Sequence, residues 1–225
     1  MYTKYDEMKV FLDTAKIEEI KPIYETGLVS GITTNPTLVK SVDKSYKTII
    51  TEILNECPDI ESVSVEVEGK TCDELLANAS EYYQTPEKYY AYDPRVTIKL
   101  PCTVEGIKAC KILSTEEIKT NVTLVFSVAQ AIMAMIAGAT YISPFVGRMN
   151  DNSFSGVELV KAIAGLKYRC KTKVLAASLR DAHHASRCML GGADIITLPP
   201  STFYKMYDSV LTREGLEIFE RDFNS

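Results

Sequence analysis

The most chemically informative feature of the chain is a lysine in a β-favouring run, Thr97-Ile98-Lys99-Leu100. An unprotonated lysine amine attacks a ketone and condenses to an iminium, an electron sink that permits carbon–carbon cleavage. A free lysine is protonated near neutral pH. Such a use therefore demands partial burial and nearby dipoles that disfavour the charged form. The chemistry also needs proton transfers, and Asp13 and Glu66 are the acid–base groups to supply them. Thr123 is placed to help hold a water between Glu66 and the reacting centre. Read for structure alone, Lys99 is a strand lysine paired with one of these acids. Two carboxylates for one amine leave at least one with another task. Arg148 and Arg180, with Ser178 nearby, form an expected phosphate clamp. Guanidinium forks match phosphate oxygens bidentately, whereas a lone rim arginine is ordinarily a solvated charge.

Other chemistries find little support. The two histidines, His183 and His184, are neighbours on an expected helix. No spaced His/Cys/carboxylate set suggests zinc, so a metal-dependent reaction is disfavoured. There is no GxGxxG or phosphate-loop pattern, and Gly191–Gly192 reads as a helix-to-strand turn. No metal and no cofactor are expected. A net charge of −5 without a basic run argues against nucleic acid or an acidic membrane as partner. Six scattered cysteines without a CxxC pair read as reduced thiols. The N-terminus has no charged-then-apolar segment and no apolar run reaches a membrane span. A soluble cytoplasmic protein is the expectation.

Residues of these types work only if the fold converges them. Eight β-rich runs are expected, at 9–13, 31–35, 62–67, 96–100, 121–126, 141–146, 174–179 and 194–198. Periodic segments at 72–82, 105–113, 127–137, 156–165 and 182–191 lie between them, with a final helix and a charged tail at 212–223. Eight β/α units without a linker match the arithmetic of a single (β/α)8 TIM barrel over residues 1–225. A doubly wound sheet gives a similar alternation and stands as the second option. The Tyr-rich stretch 82–92 reads as a connection that packs on the surface or contacts a subunit.

Side chains alternate faces along a strand, and in a barrel the helix-facing set must be apolar. In strand three Val63, Val65 and Val67 share one face, which turns Ser64 and Glu66 inward. Strand four sorts Val96, Ile98 and Leu100 outward, leaving Thr97 and Lys99 inside. Strand five sends Val122 and Leu124 out and Asn121 and Thr123 in. Asp13, Thr33 and Asn35 fall on the inner face of strands one and two, and strand six places Ser143 with Phe145. Strand seven is expected to turn Leu175, Ala177 and Leu179 outward, with Ala176, Ser178 and Arg180 inward or at the rim. The polar set lies toward the C-terminal strand ends, where barrel enzymes build their sites. Burying so much polarity is costly unless it is mutually satisfied or used.

The segments FLDTA (11–15), GITTNPTL (31–38), TIKLP (97–101), NVTLVF (121–126), SPFVGR (143–148) and AASLR (176–180) together resemble the transaldolases. The resemblance runs in order along nearly the whole chain and is nearest the short subgroup that includes the fructose-6-phosphate aldolases. It implies a (β/α)8 barrel and a Schiff-base mechanism without metal or cofactor. Lys99 matches the Schiff-base lysine, Asp13 the acid that exchanges the proton of the hydroxyl beside the breaking bond, and Glu66 with Thr123 the pair holding a catalytic water. Thr33, Asn35, Asn121 and Ser143 match residues that hold the dihydroxyacetone part or sugar hydroxyls. Arg148, Ser178 and Arg180 match the phosphate site. Glu66 and Phe145 side with transaldolase, because the aldolases usually carry glutamine and tyrosine there. The implied partners are phosphorylated sugars and copies of the same chain, in a ring such as a decamer with C-terminal helices reaching a neighbour. An aldolase releasing free dihydroxyacetone, and a catalytically silent phosphosugar-binding protein, are the competing readings.

Overall fold

The computed structural model describes residues 8–83 and 93–224. Eight strands, β1 (Lys9–Asp13), β2 (Val29–Thr33), β3 (Ser62–Glu66), β4 (Val96–Pro101), β5 (Thr120–Val125), β6 (Tyr141–Pro144), β7 (Lys173–Ala176) and β8 (Ile195–Leu198), pair in sequence order as parallel neighbours. β1 also pairs with β8, so the sheet closes into the expected barrel. Helices α1 (Ile17–Tyr24), α2 (Pro36–Val39), α3 (Tyr46–Glu56), α4 (Cys72–Tyr83), α5 (Val104–Thr115) and α6 (Val128–Ala137) follow the first five strands. The second half adds α7 (Val146–Asp151), α8 (Gly156–Ala164), α9 (Ala182–Leu190), α10 (Pro200–Lys205) and α11 (Val210–Phe223). Tyr82 and Tyr83 end α4 and pack partly against the core, whereas Tyr89, Tyr90 and Tyr92 lie outside the described residues.

Helix starts around the barrel are written in capping residues. Asn35, Ser45, Thr103, Ser127, Ser155 and Asp181 each accept a hydrogen bond from a backbone N–H two or three residues inside the next helix. Such caps satisfy otherwise orphaned donors and fix where each helix begins. Asn35 accordingly belongs to the cap of α2 and not to β2, which ends at Thr33.

The helix-facing core follows the alternation for β1, β3 and β4, where Leu12, Val63, Val65, Ile98 and Leu100 are fully buried. Two strands depart from it. Leu124 has φ +59°, and the β5–β6 register shifts between Val122 and Val125. That irregularity turns Leu124 into the mouth and sends Val125 to the helix-facing core instead. β7 is inverted relative to the expectation: Leu175 and Ala177 face the barrel interior, and Ala176 faces the helices. The reason is steric. Phe11, Tyr141, Leu175, Ala177 and Ile195 form an apolar wedge inside the barrel, which removes the need for polar residues on that side. Gly31, register partner of Phe11, makes room for it, since a Cβ there would overlap the phenyl ring.

Candidate active site

The polar interior is built from register neighbours. Glu66 pairs with Lys99 across β3 and β4, Lys99 with Asn121 across β4 and β5, and Asp13 with Thr33 across β1 and β2. Parallel strands lie about 4.8 Å apart, so register partners stand side by side. Lys99 Nζ lies 2.9 Å from a Glu66 carboxylate oxygen and donates to the Thr34 carbonyl at 3.2 Å. The lysine side chain is 5% exposed and the glutamate side chain 20%. The ion pair anticipated for one of the two acids thus falls to Glu66.

Asp13 is left for other work. Thr33 Oγ1 donates to it at 2.8 Å and itself lies 2.7 Å from Thr197 Oγ1. Thr33 has one proton, so Thr197 must be the donor to Thr33 when Asp13 is ionised. Burial holds the Asp13 carboxyl above the usual aspartate range. The nearby Lys99 charge and the Thr33 hydrogen bond oppose that shift, and Glu66 adds to it. A carboxyl so placed accepts and releases protons closer to neutrality than a free one does.

Behind Lys99 the inner residues satisfy one another. Ser62 and Thr97 hydroxyls lie 2.8 Å apart, Asn121 Nδ2 donates to Ser64 at 3.2 Å, and Ser143 donates to Asn121 Oδ1 at 2.7 Å. Thr123 Oγ1 is buried and has no hydrogen-bond partner among the described residues. A buried hydroxyl in that state costs about 1–3 kcal/mol, and it is the kind of group an ordered water satisfies.

Asp13, Thr33, Asn35, Glu66, Lys99, Ser143, Phe145, Arg148 and Ser178 line one cavity of about 460 Å³ at the C-terminal mouth. Asn121 and Thr123 are buried behind it. Asn35 spends its Oδ1 on capping Leu38 N–H, which leaves its amide nitrogen for the cavity. The Arg148 guanidinium rests 5.2 Å from the Phe145 ring centroid, over its face. Ser178 adopts φ +58°, and its carbonyl accepts from Gly147 N–H at 2.9 Å. Arg180 is set apart from the other clamp members. It makes a bidentate ion pair with Asp151, 2.6 Å at both ends, and lines a smaller cavity with Asn150, Asp181 and His184 that shares Ser178 with the first.

Three residues that touch this network carried no readable signal or an unread one. Thr197 would have emerged from sorting β8, where it shares a face with Ile195. Thr34 contributes a backbone carbonyl, which no side-chain pattern reveals. Tyr46 comes from α3, whose periodicity describes a surface helix.

The mouth of the closed (β/α)8 barrel thus gathers a buried amine, two carboxylates and a guanidinium at the end of the strands where enzymes of this fold build their sites. The profile of the transaldolase/fructose-6-phosphate aldolase family matches residues 10–225. Over 220 residues the chain is 44% identical to a probable transaldolase of Lactiplantibacillus plantarum, covering 97% of each. Over 219 residues it is 43% identical to probable transaldolase 2 of Bacillus anthracis, covering 96% of this chain and 97% of that one. A putative fructose-1,6-biphosphate aldolase from Coccidioides immitis shares the fold, with a TM-score of 0.59 at 10% identity over 87% of this chain and 74% of that one. The chain belongs to the transaldolase/fructose-6-phosphate aldolase family and is an enzyme of the transaldolase–aldolase type.

The Asp13 shift has a consequence for stability. Between its unfolded and raised folded values, the native state binds more protons at this site than the unfolded chain does. Stability from this group is therefore lost as pH rises through that window. Asp13→Asn removes the charge and keeps an acceptor for Thr33. The melting temperature of the variant relative to wild type is expected to increase from pH 4 to pH 8, measured by thermal denaturation. A difference that stays flat across that range contradicts the assignment.

Proposed function

We propose that the chain transfers a dihydroxyacetone unit from sedoheptulose 7-phosphate to glyceraldehyde 3-phosphate through a Schiff base on Lys99. The products are erythrose 4-phosphate and fructose 6-phosphate, a step of the non-oxidative pentose phosphate pathway. The observation that carries this reading is the buried Lys99–Glu66 pair at 2.9 Å with Asp13 lining the same cavity.

The placement of these groups supports the following steps. Glu66 takes a proton from the Lys99 ammonium, and the freed amine adds to C2 of the ketose. Loss of the C2 oxygen as water needs a proton donor, which Glu66 supplies through a water held with Thr123. The iminium then withdraws electrons while Asp13 takes the proton of the C4 hydroxyl, the C3–C4 bond breaks and the aldose leaves. The remaining enamine attacks the acceptor aldehyde, Asp13 returns the proton, and hydrolysis frees Lys99. Thr33, Asn35 and Ser143 hold the dihydroxyacetone hydroxyls, and Asn121 backs them through its hydrogen bond with Ser143. Arg148 and Ser178, with Arg180 at the rim, receive the phosphate.

Phe145 supports transfer over release of free dihydroxyacetone. Its ring presents no hydroxyl to protonate the enamine, so the intermediate persists until an aldehyde arrives. The free cysteines suit a reducing compartment, and the proposed setting is the cytoplasm. Among the described residues no helix is long and apolar enough to cross a membrane.

The chain is also proposed to form a homo-oligomer. α11 buries none of its residues and exposes Leu211, Leu216, Ile218, Phe219 and Phe223. That much apolar surface on one element marks a contact.

Incubation with fructose 6-phosphate and borohydride, followed by peptide mass spectrometry, is expected to find a reduced three-carbon adduct on Lys99. Its absence in folded protein defeats the Schiff-base mechanism. Without an acceptor aldehyde, dihydroxyacetone release is expected to be at least about tenfold slower than transfer with one, and comparable rates would favour the aldolase reading. Light scattering at micromolar concentration is expected to give a multiple of the chain mass, reduced by Leu216→Asp with Phe219→Asp. A wild-type monomer refutes the assembly.

A further inference from the structure

Along β3 the backbone N–H groups of Val63 and Val67 point to β4, donating to the Arg95 and Lys99 carbonyls at 2.7 and 3.2 Å. Alternation along a strand turns the Glu66 N–H the other way, toward β2. There the ladder has run out, because β2 ends at Thr33, opposite Ser64. The Tyr46 hydroxyl stands where the next strand carbonyl would be, and Glu66 N–H donates to it at 2.9 Å. The Tyr46 oxygen is also 2.6 Å from Thr34 Oγ1. Thr34 spends its own hydroxyl proton on the Ser64 carbonyl at 2.7 Å, so the Tyr46 hydroxyl donates to Thr34. The Thr34 carbonyl in turn accepts from Lys99 Nζ.

We infer that Tyr46 is the positioning residue for the Lys99–Glu66 pair, one phenol fixing both the backbone of the carboxylate and the carbonyl acceptor of the amine. The inference rests on the Schiff-base reading only for its effect on turnover. Tyr46 opens α3, whose start is fixed by the Ser45 cap on Thr48 N–H, and Tyr82 packs edge-on against it at 6.1 Å. It does not line the mouth cavity, but together with Glu66 it lines a second one of about 290 Å³. Burial pushes the phenol well above its ordinary titration range, so it remains a neutral hydroxyl and carries no proton for the reaction. Phenylalanine at position 46 keeps the ring and leaves Glu66 N–H without its acceptor and Thr34 Oγ1 without its donor.

Two readouts on Tyr46→Phe test this. In borohydride trapping with fructose 6-phosphate, the saturating rate of Lys99 adduct formation is expected to fall about tenfold, a modest misplacement effect. The half-saturating sugar concentration should stay within about twofold, because the cavity lining is untouched. Thr34→Val should reproduce the loss and Thr34→Ser should not. The double variant Tyr46→Phe/Thr34→Val should be no slower than the worse single one, since both break the same chain of hydrogen bonds. The second readout needs no sugar. Reductive methylation of Lys99 by formaldehyde and cyanoborohydride, mapped against pH, should shift its midpoint in Tyr46→Phe. A wild-type midpoint together with a wild-type trapping rate, or losses that multiply in the double variant, overturns the inference. If wild type traps no sugar on Lys99, the Schiff-base reading falls, and the methylation profile alone then decides the role of Tyr46.

Discussion

An ammonium and a carboxylate held side by side inside a barrel make the demand that the rest of the interior answers. Lys99 and Glu66 are register partners, so their proximity is imposed by the β3–β4 ladder and needs no flexible reach. Removing one member of a buried pair costs on the order of 3–5 kcal/mol, although the partial exposure of Glu66 moves this case toward the lower end. The pair survives because further groups share the charge. Thr34 gives a carbonyl to the amine, and the backbone of Glu66 is anchored by Tyr46.

The barrel interior divides to meet this demand. β1, β6, β7 and β8 contribute the wedge of Phe11, Tyr141, Leu175, Ala177 and Ile195. β3, β4 and β5, joined by Ser143 of β6, contribute hydroxyls and an amide that hydrogen-bond among themselves. The wedge fills volume at no polar cost, so polarity is confined to where it is mutually satisfied. Asp13 sits at the seam, above Phe11 on β1 and beside the polar Thr33. That seam position explains why burial, and not a charged neighbour, dominates its proton affinity.

Much of this was legible in the sequence where side chains strictly alternate. Val63, Val65 and Val67 against Ser64 and Glu66, and Ile98 and Leu100 against Lys99, place the Lys99–Glu66 pair inside the barrel from parity alone. The same rule misplaced Leu124 and the β7 residues. A left-handed φ at Leu124 breaks the period of two, and the apolar wedge makes an inward leucine at 175 indistinguishable from an outward one. Arg180 looked like a companion to Arg148 because both follow strand ends. Its partner Asp151 belongs to α7, a short helix between β6 and α8 that no periodicity marked. Tyr46 was invisible for a related reason: it reaches the site from a helix start, and one of its two hydrogen bonds is to the backbone N–H of Glu66.

These exceptions share a physical logic. Lys99, Glu66 and Asp13, whose mutual distances define the polar centre, stand on strands whose register cannot slip without flipping every side chain. Groups that line the open mouth, Leu124 and Ser178, occupy left-handed backbone, which costs non-glycine residues about 1–2 kcal/mol each. The surrounding contacts hold that strain in place. Gly147 N–H donates to the Ser178 carbonyl, and a Cβ on Gly147 would collide with that same oxygen. The close approach seats α7, and with it Arg148, against the turn that presents Ser178. The ionisable groups thereby stand on the regular ladder, and the left-handed residues that line the mouth stand at its irregular edge. The edge can vary in sequence without disturbing the Lys99–Glu66 pair, which the β3–β4 register holds.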